Sequence, residues 1–460
     1  MNLYLQIEIK IRELEAKLLL ACKAALRGHE VYLGDIWDFV RLAKKGVLAP
    51  GIIHLKDLAP EEKKLGWQRI FQDRGFRMTS QDEESGLLSE DYDEFARQRY
   101  SNESLGMCAF NFCWGAHDAT ALKRIFPEQA DKMITTGSPR IDLCRTDFGP
   151  YYETSPVHRQ AGDKPVVLIA SNFAWTTGKN SLWAYFTNYL KSGYIVAGED
   201  SEFELFGRAS REAILLVHYI RAIRRLSRQH PDCLFVFRPH PIENESAWEH
   251  FLAGLPNVRV IKDLGIGHWI RASRMLIHTG CTTSMESAYA DLPILTFRPS
   301  PPPFANPIPN SLGWQISDED ALADAVQRLL TEGKGIYAEQ HHKDLQTVHR
   351  FCAPQAEALA ADRMIESWET ISPEGLQRRN NLLRLRGEYL WWEKIRPIGR
   401  NLLVRLKLHQ PEIFDNAYKF TPITAAEEET LMNQIIRQLP EARSLTVQRI
   451  GRRLLRVAPS

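Results

Sequence analysis

The chain has 460 residues, of which 44% are hydrophobic and 25% charged. That is ordinary globular composition; it excludes a disordered, collagen-like or small disulfide-scaffold chain and fits two or three domains. Lys and Arg number 58 against 57 Asp and Glu, a net charge of +1, so no chain-wide field draws nucleic acid and only a local basic patch would.

Residues 3–7 read as a short buried strand, and 11–27 follow with helical periodicity, Ile11, Leu14, Leu18, Leu19, Cys22 and Ala25 lining one face. A strand at 31–33, a helix at 37–44, a strand at 52–55 and a polar helix at 60–74 continue the alternation, with a later strand at 133–135. Alternating strands and helices predict a parallel sheet in a doubly wound α/β domain over 1–150. The stretch 145–164 is rich in Gly, Pro and charge and reads as an interdomain linker. The alternation restarts in 163–370: strand 166–170, long helix 208–229, strands 234–237, 258–261 and 275–277, helix 284–290 and strand 294–297. Two similar α/β domains then face each other across a cleft. A Pro-rich loop at 300–310 is expected over that cleft.

Residues 371–460 differ in character and read as a basic helical extension. Lys and Arg number nine against three Glu in 371–410, and five Arg against one Glu in 441–460, with Trp391-Trp392 in the middle. That segment is expected to meet an anionic membrane surface. The seven cysteines have no Cys-x-x-Cys spacing and an odd count, which fits a reducing cytosol and argues against zinc or disulfides. The N-terminus lacks a signal-peptide core, and no apolar run is long enough to span a bilayer.

The strongest chemical signal is Arg238-Pro239-His240-Pro241, at the carboxyl end of a buried strand, where open α/β sheets bind ligands. Prolines hold the backbone around His240, which is placed to give a hydrogen bond or a proton to a departing phosphate, with Arg238 beside it. A second signal follows strand 275–277. Gly280 permits close backbone approach, and Thr282, Thr283 and Ser284 open a helix whose amides suit an anion. Glu286 is either a ribose ligand or the capping-box partner of Thr283. Ser171 and Asn172 lie at the end of strand 166–170, on the same side.

In the first domain Asp82, Glu83 and Glu84 precede Ser85-Gly86 as clustered carboxylates, either a solvated turn or an acid/base site. Glu84 is preferred, Gly86 aiming it into the cleft. Arg140 and Asp142 either fix the domain junction or touch ligand, and Glu8 and Arg12 stand just beyond the first strand. Asp91-Tyr92-Asp93 has the form of a metal-binding triplet that is frequent by chance, so no metal or resident cofactor is expected.

Taken together, EIKIRELEAKLLLAC, DEESGL, WGAHDA, TGSPRIDL, FRPHPIENE, HWIRAS and IHTGCTTSMESA resemble bacterial surface carbohydrate (surface polysaccharide) biosynthesis proteins of GT-B glycosyltransferase fold. The His-Pro element and the hydroxyl run are similar to the CMP-binding pair of bacterial sialyltransferases and Kdo transferases. The resemblance implies a cytoplasmic, metal-independent transferase at the inner membrane, making capsule or lipopolysaccharide. His240 and Thr282–Ser284 would hold the phosphate of a CMP-activated acidic sugar, Kdo first. The acceptor would be a lipid-linked glycan or an oligosaccharide, and no nucleic acid is involved. Arg-Pro-His-Pro also resembles CDP-glycerol glycerophosphotransferases, which keeps a polyol-phosphate transferase open. A sugar-nucleotide epimerase of the same architecture and a non-catalytic scaffold are the other readings. The basic tail separates transferase from epimerase, since an epimerase has no need of a membrane.

Overall fold

The computed structural model describes residues 1–84, 91–192, 195–302, 306–353, 358–372, 374–376, 378–405 and 417–460. Six parallel strands form the first domain: β1 (Asn2–Gln6), β2 (Glu30–Gly34), β3 (Ile52–Leu55), β4 (Arg77–Gln81), β5 (Cys108–Cys113) and β6 (Met133–Thr135). Six more parallel strands form the second: β7 (Val166–Ala170), β8 (Leu234–Arg238), β9 (Val258–Val260), β10 (Ser273–His278), β11 (Ile294–Phe297) and β12 (Trp314–Ile316), in the order β12-β11-β10-β7-β8-β9. The inner strands β7, β8 and β10 are apolar runs because helices cover both faces of the sheet. Both sheets direct their carboxyl ends toward one cleft, which places the site.

The tail departs from the expected helical extension. It is helical over Leu382–Arg405 and Ala425–Gln438, but it ends in an antiparallel hairpin of β13 (Leu445–Gly451) and β14 (Leu454–Pro459). β14 pairs antiparallel with β2, so the first sheet runs β13-β14-β2-β1-β3-β4-β5-β6. Here part of the basic character of 441–460 serves local pairing: Arg456 lies 2.6 Å from Glu30, and Arg449 2.9 Å from Glu428. LLRVAP is a short apolar run broken only by Arg456, a buried-strand signal that the charge count obscured.

The chain also returns to the first domain earlier than residue 370. Helix Ala360–Glu369 buries Met364, Ile365 and Trp368 in the first domain's core, and its N-terminus is capped by Asp142, which accepts from the amides of Ala360 (2.9 Å) and Ala361 (3.0 Å). Just upstream the chain passes so close to Gly115 that a Cβ there would lie 2.5 Å from the Phe351 carbonyl oxygen. Asp118 accepts from the amides of Trp114 and Gly115, so WGAHDA is the structural signature of this crossing. The segment 145–164 is no loose linker. Tyr151 and Tyr152 are buried, and the Tyr152 ring packs 4.9 Å from that of His268 in the second domain.

Candidate active site

The cleft between the domains holds a cavity of ≈ 130 Å³. Its second-domain wall is made by the loops after β7, β8, β9 and β10, and its first-domain wall by helix Lys10–Leu26 and the short helix Pro139–Asp142. Polar contacts tie the walls together. Glu15 accepts from the amide of Gly265 at 2.8 Å and lies 3.2 Å from Nε2 of His268, and Arg271 donates to the Cys144 carbonyl at 2.8 Å. Arg140 donates to Glu286 Oε1 at 2.8 Å and to the Glu83 carbonyl at 3.1 Å.

His240 lies on the cleft wall. Its Nδ1 accepts from the Ile242 amide at 3.4 Å, which leaves the ring proton on Nε2. Burial, with Arg12 and Lys262 nearby, lowers its pKa to about 3. Burial and the neighbouring cations thus favour the neutral imidazole, whose Nε2 can donate a hydrogen bond. Lys262 also lines the cleft, and burial together with Lys179 lowers its amine to about 8.

Arg238 was expected to hold phosphate beside His240. It lines the cleft, yet its guanidinium donates to the carbonyls of Asp263 and Leu264 (2.7 Å to the latter). Leu264 has φ 59°, a left-handed conformation that costs a non-glycine residue about 1 kcal/mol or more and needs such a brace. Burial lowers the Arg238 pKa to about 10.

One residue that sequence reasoning did not single out organises this wall. Glu243, fully buried, accepts from the amides of Phe173 (2.9 Å) and His240 (3.1 Å), the hydroxyls of Ser171 (2.9 Å) and Thr177 (3.0 Å), and the indole of Trp248 (2.6 Å). It joins the loop after β7 to the His-Pro loop after β8. Its signal was available in FRPHPIENE, as an acid three residues beyond His240. Ser171 is thus committed to Glu243, while Asn172 is half-buried beside it.

Helix Thr283–Tyr289 starts at the cleft, and Thr282 and Thr283 line it. No side chain caps this helix, so the capping-box role for Glu286 is excluded; Glu286 pairs with Arg140 instead. Ser284 is fully buried and donates to the Cys281 and Pro309 carbonyls, which turns it away from a phosphate role. Gly280, at φ 60°, is braced by Asn310 at its amide and Asn306 at its carbonyl, and a Cβ would lie 2.4 Å from the Asn306 amide nitrogen. Its freedom serves the approach of the Pro-rich loop rather than of a ligand. The part of that loop at 303–305 lies outside the described residues.

The three carboxylates of the first domain separate by partner. Asp82 is buried, accepts from Arg99 at 2.8 Å and from the Glu84 amide at 2.8 Å. Glu83 is buried against Lys17 at 2.8 Å; burial opposes its ionisation, but Lys17 and Arg140 outweigh it and hold the pKa near about 2. Glu84 is 43% exposed, with Arg99 and Arg12 no nearer than 3.8 and 3.9 Å. Partial desolvation opposes its ionisation, but those cations outweigh it and lower its pKa, and its charge reaches His240. The turn at Ser85-Gly86 lies outside the described residues. Glu8 is held near about 2 by Lys56 and Lys419, which overcome its burial, and Lys419 comes from the tail at 2.8 Å. Glu8 is thereby occupied by structural pairs. Arg12 faces the cleft with a buried Nε that has no hydrogen-bond partner. Asp142, as the cap of Ala360–Glu369, fixes the domain junction, the first of its two expected roles; burial raises its pKa to about 7. Asp91 caps helix Tyr92–Arg99, and Asp93 pairs with Arg124 at 2.6 Å.

No family model matches the chain, and no curated protein matches it. Solved structures do. One from Listeria monocytogenes, described as a UDP-N-acetylglucosamine 2-epimerase, superposes with a TM-score of 0.50 at 14% identity, covering 80% of this chain and 96% of its own. A second UDP-N-acetylglucosamine 2-epimerase superposes with a TM-score of 0.50 at 14% identity, covering 82% of this chain and 97% of its own. The fold is GT-B. At this identity the likeness concerns the two Rossmann-like domains and their cleft.

Proposed function

We propose that the chain is a nucleotide-sugar enzyme of surface-carbohydrate metabolism whose cleft breaks the bond between the anomeric carbon and the nucleotide phosphate. The observation that supports this is the opposition of the two walls. A neutral His240 with its proton on Nε2, Lys262 and the start of helix Thr283–Tyr289 stand on one side. Arg12 stands on the other, with Glu84 3.9 Å from it, and Arg140–Glu286 bridges the walls. Fixed donors aimed at a departing phosphate stabilise charge that develops as the bond breaks. A carboxylate across the cleft supplies the base.

Of the chemistries open to such a site, rearrangement of the sugar nucleotide itself, as in a 2-epimerase, is our leading reading. It is favoured over transfer of Kdo from CMP by two points. Two structures of the same fold are described as UDP-N-acetylglucosamine 2-epimerases. The end of the tail, counted in sequence toward a membrane surface, is a strand of the first sheet, which leaves helix Leu382–Arg405 alone to speak for a membrane-bound acceptor. Loss of the C2 proton together with cleavage of the anomeric C–O bond would give an unsaturated sugar and free nucleotide, and return of a proton to the opposite face of C2 as the phosphate re-adds would give the epimer. Glu84 is our candidate for the base and His240 for the donor to the departing phosphate. Transfer to a lipid-linked or oligosaccharide acceptor is the second reading, favoured by the uncovered apolar and basic face of helix Leu382–Arg405.

Proton NMR in deuterated water separates them. With the protein and UDP-N-acetylglucosamine alone, an epimerase exchanges the sugar C2 proton without any acceptor. A transferase leaves that proton in place and releases nucleotide only when acceptor is added, with CMP-Kdo and CDP-glycerol tested in parallel. If no donor reacts, and none of UDP, CDP and CMP raises the melting temperature, the nucleotide-sugar reading fails.

A further inference from the structure

Helix Leu382–Arg405 has two unlike faces. Leu385 and Tyr389, one turn apart, are buried in the first domain's core. Away from them Leu383, Trp391, Ile395 and Ile398 are 87%, 52%, 38% and 68% exposed. Steps of eight, four and three residues at 3.6 per turn place these four side chains within an arc of about 120°. Large apolar side chains aligned on a water-facing arc mark a contact surface.

Cations frame the same arc. The Lys45 amine stands 5.2 Å over the Trp391 ring, and the Arg41 guanidinium 5.2 Å over Trp392. Arg384, Arg386 and Lys394 are exposed and form no ion pair among the described residues. The acids on the helix are occupied: Glu388 pairs with Lys45 at 2.7 Å, and Glu393 accepts from the Arg452 amide at 3.1 Å. Arg452, at the exposed hairpin turn, adds another cation to that side.

We propose that this face docks on an anionic lipid bilayer. The helix lies in the interface plane, the apolar arc seats at the boundary of headgroups and acyl chains, and Arg384, Arg386 and Lys394 meet lipid phosphates. Trp391 has the amphipathic ring that favours this depth. The charge favours a bilayer over a second copy of the chain, because two copies would set these like charges against each other. No described helix is long and apolar enough to cross a membrane, so the contact made here is peripheral.

The test is co-flotation of the full chain with vesicles of phosphatidylcholine, with and without phosphatidylglycerol. The protein floats with the anionic vesicles only, and less as salt shortens the screening length. Lys394→Glu and Ile398→Glu each weaken partition about fivefold or more, and Trp391→Ala weakens it too. Melting temperatures stay unchanged, because these side chains face water. The proposal is overturned if wild type ignores anionic vesicles or if the variants float as it does. It is also overturned if Ile398→Glu dissociates a dimer in sedimentation and leaves flotation unchanged.

Discussion

Glu243→Gln tests whether one buried carboxylate holds the His-Pro loop in place. The substitution keeps the shape and removes the charge. Glu243 Oε1 accepts from the Phe173 and His240 amides, and Oε2 from the Trp248 indole at 2.6 Å and the Thr177 hydroxyl at 3.0 Å. A glutamine can present its oxygen to only one of these pairs. With its nitrogen at the Oε2 place, Thr177 can turn its hydroxyl and accept, but the Trp248 N–H stays buried without an acceptor, at a cost of about 1–3 kcal/mol. The bonds that survive go from charged to neutral and lose about half their strength. Burial raises the Glu243 pKa, so part of the carboxylate's advantage is already offset by desolvation. The net expectation is a loss of about 3–5 kcal/mol from the second domain. Urea unfolding followed by tryptophan fluorescence reads it as a lowered midpoint with unchanged slope. Nucleotide affinity falls in parallel, because the His240 amide keeps only a neutral, weaker acceptor. A variant within about 0.5 kcal/mol of wild type, with unchanged nucleotide binding, would refute the argument.

His240→Ala should lower turnover about 10²–10³-fold with an unchanged melting curve, the typical loss of one donor to a developing oxyanion. Glu286→Ala should raise the donor KM more than it lowers kcat, as ribose contacts are similar in ground and transition states; a purely kcat effect would instead assign it to the chemistry. Glu84→Gln should reduce turnover and leave stability alone, whereas Glu83→Gln should lower the melting temperature by stranding the buried Lys17; the reverse pattern would remove Glu84 from the mechanism. Lys262 titrates near about 8, so calorimetry should find nucleotide affinity falling as pH rises through about 8, since only the protonated amine attracts phosphate, and Lys262→Met should abolish that dependence.

The strands and helices of both domains were legible in the sequence because each has a period of its own: apolar runs where a strand is covered on two faces, and a stripe every three or four residues where a helix is covered on one. The position of His240 was legible for the same reason, as a residue at the end of an apolar strand points to the ligand side. What the sequence could not assign was the partner of each polar group. Arg238 and a ligand phosphate make the same local demand, and only the folded chain brings the carbonyls of Asp263 and Leu264, 25 and 26 residues away, to its guanidinium. Glu286 looked like a cap or a ribose ligand until Arg140, 146 residues upstream, came within 2.8 Å. Asp82, Glu83 and Glu84 are near-identical neighbours in sequence, and the difference between two buried, tightly paired acids and a half-exposed one comes from Arg99 and Lys17 on separate helices. The tail misled for a related reason. Its charge was read as a free surface, but a strand edge at β2 lay open to it, and an unpaired edge is filled by whatever strand-forming segment can reach it. Local pattern determines elements because it depends on neighbours a few residues away; the commitment of a charged or polar group depends on which distant groups share its buried volume, and that is decided only by tertiary packing.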